Sequence, residues 1–434
     1  MRNDISVIEQ AEKLIMPLIE AHVPEGTDNQ ALVGQWLHAI ATDSELYCNR
    51  TIDNPEELKK RVLKILKNNA VYKNQTLFYE EIFGSLKLKP VHKPAFRFID
   101  LFAGIGGTRL GAQSHAGACV FSSEFDRFAQ DTYLLNHGEY PFGDITKIDE
   151  QSIPAHDLLL AGFPCQPFSY SGRCEGFEDK TRGTLFFDVL RILEAKQPKV
   201  ALLENVKGFR SHDKGNTMSI ALKALGEAGY NTYWTILNSY DYGVPQFRER
   251  WYCVAIRKDL DAKTFEFPDQ RDRTTTLKDI VDSDSQDSSL SLSDFEVERI
   301  KYHFSNSHKA ERVQHDSSMY EPQTKKGRHG VYSFQKKDGA LRFHVGDVAK
   351  TQIQEAFYAC LDTYSPTIIA NRVPKLWDIK RKLSVLESAR LQGFPEEFAF
   401  RVSSAQSYKQ LGNSVTVSVI EAIVDKIIKT QGLE

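Results

Sequence analysis

The chain lacks any apolar run near the roughly 18 residues needed to cross a bilayer, so no membrane span is expected. Its start, Met-Arg-Asn-Asp-Ile-Ser, lacks the apolar stretch of a secretory signal. A soluble, cytoplasmic protein is the expectation. Cysteine is scarce and scattered, at 48, 119, 165, 174, 253 and 360, with no Cys-x-x-Cys pair. That spacing reads as reduced thiols and argues against a structural zinc site or any other metal. Net charge is also small, −3 with a pI near 6.5. Bulk charge therefore does not mark a nucleic-acid binder, and any nucleic acid must be held by a local patch. No internal repeat is present. What the chain does have is an ordinary globular balance, 41% hydrophobic and 11% aromatic over 434 residues, enough for two or three domains.

Four stretches differ in texture. Residues 1–94 read as a helical extension. Ile5, Ile8, Leu14, Leu18 and Ile19 fall near helical spacing. Asn54-Pro55 starts a helix, with Glu56 and Glu57 in its first turn. Leu58, Val62, Ile65 and Leu66 form its apolar stripe, flanked by Lys59, Lys60, Arg61, Lys64 and Lys67. This is either a small helical unit with a solvated basic face or a DNA-contacting or regulatory module.

From 95 to 261, apolar runs alternate with helical patterns. The runs are Phe96–Phe102, Cys119–Ser122, Leu158–Ala161, Val200–Leu203 and Trp251–Ile256. Such alternation implies βαβ units, an α/β fold and a mostly parallel sheet. Residues 262–365 are polar, rich in Ser and Asp early and basic later, and read as a smaller second domain. From 366 to 434 the alternation is expected to resume. Ser384-Val-Leu-Glu387 is a capping box opening a helix that stops near Gly393, and Ser403 with Gln406 repeats it before a final helix.

Chemistry is concentrated at strand ends. Phe98-Ile-Asp-Leu-Phe102 runs into Ala103-Gly-Ile-Gly-Gly-Thr-Arg-Leu-Gly111. A strand entering a glycine turn and then a helix is how α/β folds bind nucleotide-like ligands. The spacing is Gly104-x-Gly106-Gly107, not a full dinucleotide fingerprint, and there is no Walker lysine. Glu124, about 20 residues on, is placed to accept bonds from ribose hydroxyls. Asp144 follows the next turn and is placed to reach an adenine amino group. Either acid is equally readable as an exposed or helix-capping residue.

The strand Leu158–Ala161 leads into Gly162-Phe-Pro-Cys-Gln-Pro-Phe-Ser169. Two prolines stiffen the loop around Cys165. Open α/β sheets bind ligands at this end of their strands, and a thiol there is intrinsically nucleophilic. A second strand, Val200–Leu203, ends in Glu204-Asn-Val206. Its carboxylate, at a strand end beside that of Cys165, is a candidate acid–base group. In Gln246-Phe-Arg-Glu-Arg250, period-2 geometry puts Gln246, Arg248 and Arg250 on one face.

These motifs, in this order, resemble the DNA cytosine-C5 methyltransferase family. The match comprises Phe-x-Gly-x-Gly-Gly (102–107), Pro-Cys-Gln (164–166), Glu-Asn-Val (204–206) and Gln-x-Arg-x-Arg (246–250). Arg390-Leu-Gln-Gly-Phe-Pro395 and Gly412-Asn-Ser-Val415 complete it. The resemblance covers residues 96–260 and 366–430. It implies a Rossmann-like fold dependent on S-adenosylmethionine, with a target recognition domain at 262–365. It implies Cys165 as nucleophile toward C6, Glu204 on N3 and Arg248 as a base-pocket contact. Phe102, Gly104, Gly106, Gly107, Glu124, Phe125, Asp144, Ile145 and Pro164 match the positions lining the S-adenosylmethionine pocket. Asn413 and Val415 match those that close it, so the last helix should pack beside the first strand. The stretch Thr324–Lys337, mixing cations with aromatics, suits DNA contact. Expected partners are double-stranded DNA and a cognate restriction endonuclease, the protein itself being a monomer. A tRNA-directed relative typically carries Cys-Phe-Thr, which is absent. A DNA-binding regulator on a degenerate core is the other alternative, and Cys165, Glu204 and Gly104 are all present.

Overall fold

The structure is a computed structural model. It describes residues 7–22, 26–48, 54–164, 185–260, 264–282, 287–294, 297–298, 301, 313–315, 329–335, 341–347, 353–370, 373–376 and 378–432.

Helices come first: α1 (Val7–His22), α2 (Asn29–Thr42), α3 (Pro55–Asn68) and α4 (Gln75–Phe83). Asn54 caps α3 by accepting from the Glu57 N–H at 3.0 Å, with Pro55 at the first position as expected. The central region then supplies β1 (Phe96–Leu101), α5 (Gly107–Gln113), β2 (Gly117–Ser123), α6 (Arg127–His137), β3 (Leu158–Gly162), α7 (Leu185–Lys196), β4 (Val200–Val206), α8 (Asn216–Glu227), β5 (Tyr230–Asn238), β6 (Gln246–Phe247) and β7 (Glu249–Arg257). The main sheet runs β2-β1-β3-β4-β7-β5. All its pairings are parallel except those of β7, which is antiparallel to both neighbours. Every apolar run named from the sequence is a strand. β5 is not among them, because this edge strand mixes buried residues with exposed ones such as Trp234.

Period-2 alternation sends side chains to opposite faces of the sheet. Phe96, Phe98, Leu158, Leu160, Val200 and Leu202 pack under Val419, Ile420, Ile423 and Ile427 of the last helix. That helix shares this core with the first strand and packs directly on α5. Gly111 of α5 makes that approach possible, since a Cβ there would meet Ile420 Cγ2 at 2.5 Å. The opposite face carries Ile99, Leu101, Leu159, Ala161, Ala201 and Leu203. They share one core with Phe186 and Val189 of α7 and with Trp36, Ile40, Phe78 and Phe83 of the N-terminal helices.

The N-terminal helices thus form a layer on the main sheet, not an independent appendage. Trp36 is fully buried and its indole N–H donates to the Tyr47 carbonyl at 2.7 Å. The Tyr47 ring packs against Phe121 and Phe142. Lys59, on the otherwise basic α3, is buried and pairs with Asp43.

The next strands are β8 (Val313–His315), β9 (His329–Gln335), β10 (Leu341–Asp347), β11 (Ile353–Ala359), β12 (Ser365–Pro366), β13 (Lys375–Leu376) and β14 (Arg381–Lys382). All but β12 form a second sheet in the order β14-β13-β11-β10-β9-β8, while β12 pairs in parallel with β6. The second sheet therefore continues beyond residue 365. The stretch Thr324–Lys337 lies only partly within the described residues, where 329–335 form β9. The strand–helix alternation expected after Pro366 does not occur in the main sheet. Among the described residues this segment adds α9 (Val385–Leu391), α10 (Ser404–Asn413) and α11 (Val417–Gln431), while β13 and β14 join the second sheet. The capping box Ser384–Glu387 is formed. Ser403 caps α10, which is the penultimate helix and not the final one.

Because the N-terminal helices and the sheet share one core, Trp36→Ala is expected to cost about 3–5 kcal/mol of global stability. Urea unfolding followed by circular dichroism should shift to a lower midpoint as a single transition. A separate early transition for the N-terminal helices would contradict the shared core.

Candidate active site

Three sheet ends and the C-terminal helices enclose a cavity of about 970 Å³. The first wall is the glycine turn. Phe102 and Gly104 both adopt φ of 55°, and Gly106 adopts 88°. This left-handed stretch folds the backbone back above β1. A Cβ on Gly104 would meet nothing within 4 Å, so its backbone faces the open cavity. The Gly104 N–H donates to Glu124 Oε2 at 2.7 Å, and the Asp126 N–H donates to Oε1 at 2.7 Å. Backbone donors therefore fix both carboxylate oxygens, which keep further acceptor capacity. Burial raises the Glu124 carboxyl, and the backbone donors oppose that rise. Beside it the Phe125 ring is 79% exposed, although Phe125 lines the cavity. Asp144 lines the same cavity; its Oδ1 accepts from the Thr146 N–H and hydroxyl, capping a short turn. It is thus both a capping residue and a cavity residue.

Phe102, Gly104, Glu124, Phe125, Asp144, Ile145, Pro164, Glu204, Arg248 and Asn413 all line this one cavity. Gly106, Gly107 and Val415 do not. They sit behind the wall for packing reasons. A Cβ on Gly106 would run into the His137 ring, and one on Gly107 would meet Ser414 Oγ at 2.8 Å and Val415 Cγ2 at 3.0 Å. Cys165 lies outside the described residues, immediately after Pro164.

The second wall comes from register. Gly162 at the end of β3 is paired with Glu204 at the end of β4. The Asn205 amide donates to the Phe163 carbonyl at 3.0 Å, tying the Glu-Asn-Val strand to the residue before Pro164. The Phe163 ring is buried against Phe186 and Phe209. Phe163, two residues before Cys165, is thereby held by both its backbone and its ring. Glu204 Oε1 lies 3.2 Å from Arg250 Nε, with both side chains 13% exposed. Burial raises the Glu204 carboxyl, against the pull of Arg250 and Arg248.

Arg248 reaches the cavity but its guanidinium is engaged elsewhere. It donates to the carbonyls of Ile368 (2.7 Å), Gly412 (3.2 Å) and Ser414. Burial pushes it down to about 9. Gln246, fully buried, donates to the Leu391 carbonyl and accepts from the Ile368 N–H. Gln246 and Arg248 together clamp the returning C-terminal segment to the sheet. Arg250, not Arg248, is the arginine paired with Glu204; alternation puts both on one face and cannot rank them. Nothing in the sequence singles out Lys409. It lines the cavity and pairs with Asp126 at 2.7 Å, a contact between residues 283 apart.

The model of the C-5 cytosine-specific DNA methylase family matches residues 96–429. The Type II methyltransferase M.HhaI of Haemophilus parahaemolyticus is 39% identical over 343 residues, 79% of this chain and 97% of that protein. M.SsoII of Shigella sonnei is 42% identical over 338 residues, 77% of this chain and 80% of that one. Among solved structures, the S. pombe Dnmt2 methyltransferase superposes with a TM-score of 0.55 at 19% identity, covering 77% of this chain and 98% of that one. That likeness shows the fold alone. With the family's model covering the whole sheet and its C-terminal clamp, the chain belongs to the C-5 cytosine-specific DNA methylases and is a DNA (cytosine-5-)-methyltransferase.

Proposed function

We propose that the chain moves the methyl group of S-adenosylmethionine to C5 of a cytosine flipped out of duplex DNA, through a covalent bond between Cys165 and C6. The observation that carries this reading is one cavity bordered by Gly104 and Glu124 on one side and by Pro164 and Glu204 on another.

The residues present fit the donor. Open space at Gly104 admits a ligand against the backbone. Glu124 has spare acceptor capacity for ribose hydroxyls, and the exposed Phe125 ring offers an apolar face to adenine. Asp144, which lines the same cavity, is assigned to accept from the adenine amino group, and Asn413 borders the same space. When bound, the donor supplies an electrophilic methyl carbon.

The target base must leave the duplex because its ring is otherwise inaccessible, at a cost of a few kcal/mol. Pocket contacts offset that cost. The buried Glu204 carboxyl shares a proton with N3, which draws electrons from C6. The Cys165 thiolate then bonds C6, and the displaced electron pair makes C5 nucleophilic. C5 bonds the methyl carbon as the carbon–sulfur bond of the donor breaks, releasing S-adenosylhomocysteine; loss of the C5 proton to water then restores the double bond and expels the thiolate. Arg250 orients Glu204, and Arg248 positions the C-terminal wall. Relatives named as Type II methyltransferases support a restriction-modification role, with a cognate endonuclease as counterpart. We assign the work to a cytoplasmic monomer acting on double-stranded DNA, with 262–365 as target recognition domain.

Cys165→Ala is expected to abolish transfer of labelled methyl to duplex DNA while binding of S-adenosylhomocysteine is retained. Normal turnover by that variant, or preferential labelling of tRNA by the native protein, overturns the proposal.

Glu204→Gln should lower kcat by about 10²–10⁴-fold, the usual span for a positioned acid–base group. The pH dependence has a definite sign. Because burial raises the Glu204 carboxyl, the acid form persists above the ordinary glutamate range, and kcat should fall as pH rises through the shifted value. The Glu204→Gln protein, permanently neutral at this position, should lack that descending limb. An unchanged limb would remove Glu204 from the role.

A further inference from the structure

The N-terminal helices lie outside the range 96–429 matched by the family's model, yet they touch both segments that carry the cofactor-side residues. Helix α2 (Asn29–Thr42) meets β2 and the 138–142 turn. Gly34 makes the crossing close, its absent Cβ pointing at Glu139 Cβ 3.5 Å away. The Gln35 side chain donates to the Val120 carbonyl of β2 at 3.2 Å, and its amide oxygen accepts from the Tyr47 N–H. β2 leads directly into Glu124 and Phe125. The 139–142 segment leads directly into Gly143, Asp144 and Ile145.

Between these contacts lies a buried charged cluster. Glu139 Oε2 is 2.9 Å from His38 Nδ1, with both side chains 6% exposed. Glu139 Oε1 pairs with Arg109, which is 1% exposed and also donates to the Tyr133 hydroxyl at 3.0 Å. Arg109 belongs to α5, the helix that opens at Gly107 straight after the glycine turn. The other His38 nitrogen, Nε2, lies 3.2 Å from the Gly138 carbonyl. Each nitrogen of the His38 ring thus faces an oxygen acceptor, one on Glu139 and one on the Gly138 backbone. Burial alone would raise the Glu139 carboxyl, but Arg109 and His38 outweigh it and bring it down to about 2. A buried ion that loses one partner is left uncompensated, and its surroundings shift to relieve it.

We infer that the N-terminal helices hold the methyl-donor pocket in its binding shape, with His38 of α2 as a positioning residue that acts through Glu139 and Arg109 on the glycine turn. His38 does not line the cavity. It fixes Glu139 at the root of the Asp144 segment, and Glu139 fixes Arg109 at the root of the Gly104 turn. Two walls of the pocket are thereby referred to one point on α2. The inference rests on the reading of the cavity as the donor site. By linkage, whatever α2 contributes to the pocket the ligand must return to α2.

The test uses the full chain and S-adenosylhomocysteine as probe. In calorimetric titration, His38→Ala should raise the dissociation constant about tenfold, within the usual range for coupled sites. Its kcat on duplex DNA at saturating donor should stay within about twofold, so the loss appears in KM for the donor. His38→Asn, which keeps a donor where Nδ1 stood, should recover most of the affinity. In hydrogen exchange on the native protein, which needs no variant to fold, the probe should raise amide protection across 29–47. Equal affinity in all three proteins, or protection gained at 102–108 and 139–146 without any change at 29–47, overturns the inference and leaves the donor-site reading intact. Failure of the native protein to bind the probe overturns both.

Discussion

The pairing of Gly162 with Glu204 across β3 and β4 is the constraint on which the site is built. Side chains alternate with a period of two, so a slip of one residue would turn Glu204 to the opposite face. Apolar residues of both strands hold the register. Leu158, Leu160, Val200 and Leu202 are buried on one face, and Leu159, Ala161, Ala201 and Leu203 on the other. Neither strand can slide without exchanging two filled cores. Parallel pairing then brings both carboxyl ends to the same edge, where the Pro164 loop and Glu204 border one space. Antiparallel β7 completes the arrangement by pairing Val206 with Arg250, which puts a guanidinium within reach of the carboxylate.

The cavity needs a lid, and the chain supplies it from its far end. Gly412 lies so close to Ile369 and Ala370 that no side chain fits there. Arg248 and Gln246 answer the carbonyl and amide groups that this crossing leaves without ladder partners. A buried guanidinium is costly unless its donors are satisfied, and here backbone carbonyls engage both terminal nitrogens in place of a carboxylate, while Nε is left without a partner. That choice has an electrostatic consequence. Among the described residues no acid forms an ion pair with Arg248, and its field and that of Arg250 both act on Glu204.

Much of this was legible in the sequence because it is written in local patterns. The central strands announce themselves as apolar runs bounded by turns, and the glycine turn, Pro-Cys-Gln and Glu-Asn-Val sit where those runs end. The parts that were not legible depend on long-range contacts. β5 carries an edge strand's mixed burial and so has no clean alternation. Arg248 and Arg250 are equivalent by periodicity, and only the position of residues 368–414 separates a clamp from a partner of Glu204. Gly106, Gly107 and Val415 belong to the cofactor motif by spacing, but they pack behind the turn. Helix α2 is buried on nearly every side, so it has no amphipathic stripe to show which surface it covers.

The polarity of the pocket follows from how its groups are already committed. Asn205 is spent on the Phe163 carbonyl and Arg248 on three others. Glu124 is pinned at both oxygens but saturated at neither. Glu204 has one oxygen toward Arg250 and burial that favours its protonated form. The groups that fix the architecture are therefore largely engaged internally, while Glu124 and Glu204, two of the carboxyls that border the cavity, retain unspent hydrogen-bonding capacity. A pocket built this way gains most from a ligand that brings donors to Glu124 and a proton-sharing ring nitrogen to Glu204, because those contacts cost the protein none of the bonds that hold its walls.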